Sequence, residues 1–298
     1  MSTRNEILKK QSELIEVLKR DVTSYSSIPG VHHIDVGLKY IDGIKTNEIS
    51  IRFHTYKKNS KSFLKSLTVP KMISGVRTDV IVSNPILNSR KGKVALQILG
   101  GVEIANAHMM EFGTLGCVLL HQSGKHVGLT NHHVIVGSMG GKGEEIIQPY
   151  SPTSSKSQVI GEILEFNKDL DCAIFTLNSQ RKANIYSIEG FNQLFTESSQ
   201  PVIHDRVKKS GITTEITYGE IEGISLNGRL TISCIPQRPN PGTKISDQGD
   251  SGSLWVIDSE TKGVAMGLHY AGESNFSKAY AYDINLIFKA LNINTKTP

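Results

Sequence analysis

Residues 94–283 form a long series of short apolar runs, cut again and again by Gly, Asn and Ser turns. The runs fall at 94–99, 116–121, 127–130, 159–166, 173–177, 206–210, 220–225, 230–234, 253–257 and 263–269. Many short strands at such spacing predict an antiparallel barrel or sandwich. No alternating strand–helix pattern runs through them. Of the 298 residues 38% are hydrophobic, enough for one large domain or two modest ones with a real core.

Residues 1–90 have a different texture. Thr3-Arg4-Asn5-Glu6 fits a capping box, and Ile7, Leu8, Leu14, Ile15, Leu18 and Val22 follow at helical spacing. This predicts a helix over 5–23 whose apolar stripe packs on the body or docks a partner. Strands are expected at 36–41 and 48–56, on either side of the hairpin signal Asp42-Gly43, and at 75–82. A short helix is expected at 60–67. His32, His33 and His54 lie here with no acid or cysteine spaced for a metal, so we read them as surface or satisfied histidines. Residues 83–93, with Asn84-Pro85 and Arg90-Lys91-Gly92, mark a boundary. The expected organisation is a small α+β module at 1–90 and a β-rich domain at 91–298, closed by a helix at 284–291.

The net charge of +5 is mild, and Lys57-Lys58 and Lys208-Lys209 read as solvated faces. No basic stripe with interleaved aromatics suggests nucleic acid as a partner. The opening residues lack the apolar core of a secretion signal, and no apolar run is long enough to span a membrane. Cys117, Cys172 and Cys234 are odd in number and lack metal spacing. We therefore expect a cytoplasmic, reduced protein with no membrane partner, metal or cofactor.

The chemistry concentrates in three places. Asp247-Gln248-Gly249-Asp250-Ser251-Gly252-Ser253 places one serine between two glycines, in a turn that exposes its hydroxyl and aims backbone N–H groups at one point. A serine is a weak nucleophile until a base takes its proton. Gly128-Leu129-Thr130-Asn131-His132-His133-Val134 ends an apolar strand in two histidines. Asp169-Leu170-Asp171-Cys172-Ala173 sets an acidic pair at the mouth of another strand. The chain order is His, Asp, Ser. An α/β-hydrolase places its acid between serine and histidine, which does not fit.

These motifs resemble the chymotrypsin clan of serine proteases. The resemblance implies two antiparallel β-barrels with a catalytic triad in the cleft between them. Thr130-Asn131-His132-His133-Val134 matches the clan's histidine motif with the base at His133, not His132. Asp171-Cys172-Ala173-Ile174 matches the aspartate motif, leaving Asp169 out of register. Gly249 to Ser253 matches the serine motif. The resemblance thus implies Ser251 as nucleophile, His133 as general base and then acid, and Asp171 as its orienter. The N–H groups of Gly249 and Ser251 would form the oxyanion hole, a device worth about 3–4 kcal/mol per donor.

Gly100-Gly101-Val102-Glu103-Ile104, Gly113-Thr114-Leu115-Gly116-Cys117, Ile147-Gln148-Pro149 and Lys209-Ser210-Gly211-Ile212-Thr213-Thr214 with Gly219 are similar to a bacterial group of trypsin-like peptidases. That group is related to the plant narrow-leaf-type proteases. Its members carry an N-terminal module and often act as effectors beside a sensor, for instance in anti-phage defence. The resemblance implies a serine endopeptidase. An uncontrolled cytosolic protease is dangerous, so a second reading is an enzyme held latent and turned on by a regulatory protein at the module of 1–90. The alternative is a protease-like module that binds without catalysing.

The chain also departs from the clan. Val134 stands where secreted relatives have a cysteine, so Cys117 is expected to be a buried small hydrophobe. Asp250 precedes the serine, yet no cleavable pro-segment is evident to supply the amine that pairs with it in secreted zymogens. The resembling fold puts the specificity pocket's floor near Ile245 and Ser246, where no aspartate selects basic residues, and Asp247 lies out of register. In the glutamate-specific branch a histidine stands at the position of His269. With Ser246 as a second donor, His269 implies a preference for acidic residues before the scissile bond. Gly272 would leave the pocket mouth open to the substrate backbone.

Overall fold

The computed structural model describes residues 4–26, 28, 31–41, 44–55, 69–82, 85–86, 94–150, 158–192, 195–235, 244–259 and 263–293. The expected turn at Asp42-Gly43 and the expected helix at 60–67 lie outside them. Twenty-one strands and three helices are present among the described residues, so the fold is mainly β as the short apolar runs predict.

Six strands close into a barrel. Arg206–Gly211 pairs with Leu254–Ile257, then come Gly263–Glu273, Lys278–Asp283, Arg229–Cys234 and Glu215–Ser225, and the last pairs back onto Arg206–Gly211. Inward positions alternate along each strand, so Val207, Ile221, Leu230, Ile232, Trp255, Met266 and Ala281 fill its interior. Seven further strands curl into a half-barrel in the order Phe112–Thr114, Glu103–Asn106, Glu145–Ile147, Val159–Asn167, Cys172–Leu177, His126–Thr130 and Cys117–Leu120. Between the two lies a shared apolar layer. Cys117, Leu119, Leu129 and Ile174 meet Leu254, Val256 and Leu268, and helix α3 (Ile284–Ala290) adds Ile284, Ile287 and Phe288. Each such fully buried side chain is worth about 1.5–3 kcal/mol. This layer presses the half-barrel strand ends against the closed barrel, where the candidate site lies.

The strands of 1–90 join the closed barrel's sheet. Val31–Ile41 pairs with Ile44–Thr55 along most of its length and with Glu215–Ser225 at Asp35–Gly37. Val76–Val82 adds in parallel to Ile44–Thr55. Helix α1 (Arg4–Ser26) lays Ile7, Leu14 and Leu18 on this sheet. Gln11, 1% exposed, donates to the Pro201 carbonyl and accepts from the Ile203 N–H, and Arg4 pairs with Asp205. The helix's apolar stripe is therefore spent on the body.

A buried ionic cluster crosses the same seam. Arg52 forks onto Asp35 (2.7 and 2.6 Å) and reaches Glu222 at 2.9 Å, with all three side chains fully buried. Lys278 and Tyr40 complete Glu222, and Thr231 donates to Asp35. Burial alone would raise Asp35 and Glu222. Arg52 and His54 hold Asp35 well below the usual carboxylate range, and Lys278 and Arg52 bring Glu222 to about 2. Gly37 and Gly223 lack the Cβ that would run into the Arg52 guanidinium.

Candidate active site

Asp171 and His133 are placed by two tight turns. The strand His126–Thr130 ends at Asn131, and the short helix α2 (His132–Ile135) begins there. Asn131 Nδ2 donates to the Asp171 carbonyl at 2.8 Å. Asp171 itself closes the turn before Cys172–Leu177 with its N–H on Lys168 O, and it sits at φ +44°, a left-handed conformation rare for a residue with a Cβ. That turn lets one carboxylate serve His133 twice. Oδ1 accepts the His133 N–H at 2.9 Å, and Oδ2 lies 2.6 Å from Nδ1. A carboxylate only accepts, so Nδ1 carries the proton and Nε2 is left with a lone pair. The ring and the carboxylate are 21% and 18% exposed.

The neighbouring candidates go elsewhere. His132 is buried edge-on against Phe166 at 5.2 Å, and burial lowers its pKa. Asp169 points into solvent. The structure pairs His133 with Asp171 and leaves both of the others out.

Ser251, expected to expose its hydroxyl, is instead fully buried, in a turn in which Asp250 N–H meets Asp247 O and Ser253 N–H meets Asp250 O. Gly249 (φ +102°) and Gly252 (φ +93°) supply the left-handed steps. A Cβ on Gly252 would collide with the Thr114 carbonyl. Thr114 ties this loop to the half-barrel, its N–H on Ser251 O and its hydroxyl on Gly249 O, both at 2.7 Å. A Cβ on Gly113 would lie 2.7 Å from Ser251 O and 2.7 Å from Val134, so the serine turn and α2 close on this glycine. Neither the Gly249 nor the Ser251 N–H is paired with a protein acceptor among the described residues. The Ser251 hydroxyl, however, donates to the Tyr270 carbonyl at 3.2 Å, and His133 Nε2 has no protein partner among the described residues. Tyr270 is the extra residue of a bulge between His269 and Ala271, which frees its carbonyl from the ladder.

Asp250 finds its cation in Lys209, 2.9 Å away, with both side chains fully buried. Thr214 Oγ1 (2.6 Å) and the N–H groups of Asp247, Thr213 and Thr214 complete the carboxylate. Burial raises Asp250, but Lys209 and Thr214 bring it below its ordinary value. Burial lowers Lys209 by more than Asp250 restores. The reading of Lys208-Lys209 as one solvated face is corrected by this pair: Lys209 points inward, while Lys208 lies over Phe191.

His269 is fully buried, edge-on to Trp255, and its backbone exchanges hydrogen bonds with Gly252 and Ser253. Burial, with Lys209 nearby, pushes it down to about 3, so the imidazole is neutral at pH 7 and offers a hydrogen bond, not a charge. Ser246 is 1% exposed, with no protein partner for its hydroxyl among the described residues. Gly272 lies on the same strand as His269, paired with Ala279 on one edge and Ile86 on the other. Cys117 is a buried free thiol whose pKa burial raises, and Cys172 and Cys234 are also free.

A further cluster corrects the expectation that the N-terminal histidines have no acid partner. Asp35 stands between His33 and His54, and their donor atoms lie within 4.8 Å of one another. The spacing missed it because His54 comes from the paired strand. Both Asp35 oxygens already accept from Arg52, so a cation here would face a buried guanidinium.

No protein-family model matches the chain, and no curated protein matches it. Among solved structures, a Nocardiopsis protease is 18% identical, covering 67% of this chain and all of its own, with TM-score 0.49. Protease A of Thermobifida fusca is 15% identical over 68% of this chain and all of its own, with TM-score 0.48. A glutamic acid specific serine protease that uses a histidine triad in substrate binding is 18% identical over 65% of this chain and 97% of its own, with TM-score 0.47. Likeness this distant says nothing about which residues act.

Proposed function

We propose that the chain is a serine endopeptidase working through Ser251, His133 and Asp171. One observation carries this reading: a single carboxylate holds both the backbone and Nδ1 of His133, beside a glycine-flanked serine with two unpaired N–H groups. For attack, Ser251 turns its hydroxyl from Tyr270 O to His133 Nε2. The Oγ bonds to the substrate carbonyl carbon while its proton passes to Nε2, and Asp171 stabilises the imidazolium. The carbonyl oxygen, now negative, is met by the N–H groups of Gly249 and Ser251. Nε2 then gives its proton to the departing amine, leaving an acyl-enzyme. Water, deprotonated by the same nitrogen, hydrolyses it.

The test is a fluorophosphonate label on Ser251 together with peptide hydrolysis. Ser251→Ala and His133→Ala are each expected to lower kcat by at least about 10³-fold with the fold intact. A wild-type chain that neither labels nor cleaves, even in the released form described below, would remove the reading. We further propose a preference for acidic residues before the scissile bond, since His269 is buried with its backbone bonded to Gly252 and Ser253, and Ser246 is a buried hydroxyl shortly before Ser251 in the chain. A peptide library cleaved mainly after apolar residues, with His269→Ala making no difference, would overturn it. The proposed setting is the cytoplasm, with a protein partner acting through residues 1–90.

A further inference from the structure

The strand Gly263–Glu273 has two edges, and the one facing Ser251 is full. Lys278–Asp283 lies along the opposite edge from Gly267 to Gly272. On the Ser251 side, Leu254–Ile257 comes first. His269 then exchanges hydrogen bonds with Gly252 and Ser253. The Tyr270 carbonyl takes the Ser251 hydroxyl. Finally Pro85–Ile86 pairs antiparallel, Ile86 opposite Gly272 and Pro85 opposite Glu273.

An extended peptide that brings a carbonyl to Ser251 along this edge must add to it as a strand, through main-chain hydrogen bonds. From His269 to Glu273, this edge is engaged at His269, Tyr270, Gly272 and Glu273. We infer that Pro85–Ile86 is an intramolecular occupant of this edge, competing with an extended peptide that would add there. The inference rests on the reading of Ser251 as the nucleophile. The hold is built to be displaced: among the described residues it is two residues long, and Pro85 has no N–H to give. The segment follows directly on Val76–Val82, which pairs with the strand carrying Arg52, so a shift of the N-terminal sheet would carry it off the edge.

The experiment uses the full chain with Pro85→Gly and Ile86→Gly together, assayed on a decapeptide library and on a small ester that pairs with no strand. A competitor occupying most molecules raises the apparent KM by the inverse of the open fraction. Releasing it is expected to lower KM for the long peptides roughly tenfold, with kcat and ester turnover unchanged. Equal KM values for the two chains, both labelled by fluorophosphonate, would overturn the inference while leaving Ser251 as nucleophile. No label on the released chain would instead remove the nucleophile. A second variant, Pro85→Cys with Glu273→Cys, tests the register. Its oxidised form should lose turnover of long peptides and recover it on reduction. Oxidised and reduced forms that cleave long peptides alike would also overturn the inference.

Discussion

Five protein donors converge on the Asp250 carboxylate, and only one of them, Lys209, carries a charge. The arrangement sets the shape of the turn that presents Ser251. Gly211 is needed there because a Cβ would strike Asp250. Lys209→Met leaves the carboxylate buried without its cation, and about 3–5 kcal/mol of stability should be lost. Urea unfolding measures this, and kcat should fall with it as the turn loosens. The pH dependence has a definite sign. Asp250 is held below its ordinary value of 3.8, so the stability it contributes is complete above that value. It disappears as the pH falls through the lower folded value. Acid unfolding should therefore show a loss below about pH 4 in the wild type that is smaller in Asp250→Asn.

At the level of elements, turns decide more than strands. The motif at 130–134 marks the end of a strand, and the motif at 171–174 the start of its neighbour. The structure pairs Thr130 with Ala173, which brings His133 and Asp171 together. That much was legible, because a polar pair closing an apolar run can only sit at a strand mouth. The roles of Thr114, Lys209 and the Tyr270 bulge were not. Each depends on which strand lies opposite, and strand pairing leaves no local mark in sequence. The cluster around Arg52 belongs to this scale as well. Its glutamate comes from the closed barrel and its aspartate from residues 1–90. Arg52→Met should destabilise the chain by about 3–5 kcal/mol, read by thermal or urea unfolding, because two carboxylates stay buried without it.

Over the whole molecule, one apolar cluster runs from Leu14, Leu18, Val36 and Phe53 into Val207, Ile232 and Trp255. With the sheet continuous at Asp35–Gly37, residues 1–90 and the closed barrel should melt together. Far-UV CD and Trp255 fluorescence should report one coincident transition; two separated transitions would contradict it. The sequence by itself determined the strand-rich class, the helix at the N-terminus and the three motifs proposed to carry the chemistry, because periodicity, turn residues and capping are local. Only the tertiary structure decided that α1 is spent on the body, that Lys209 lies inside, and that Pro85–Ile86 occupies the edge beside Ser251. Those outcomes depend on contacts between residues far apart in the chain, whose energies no local pattern encodes.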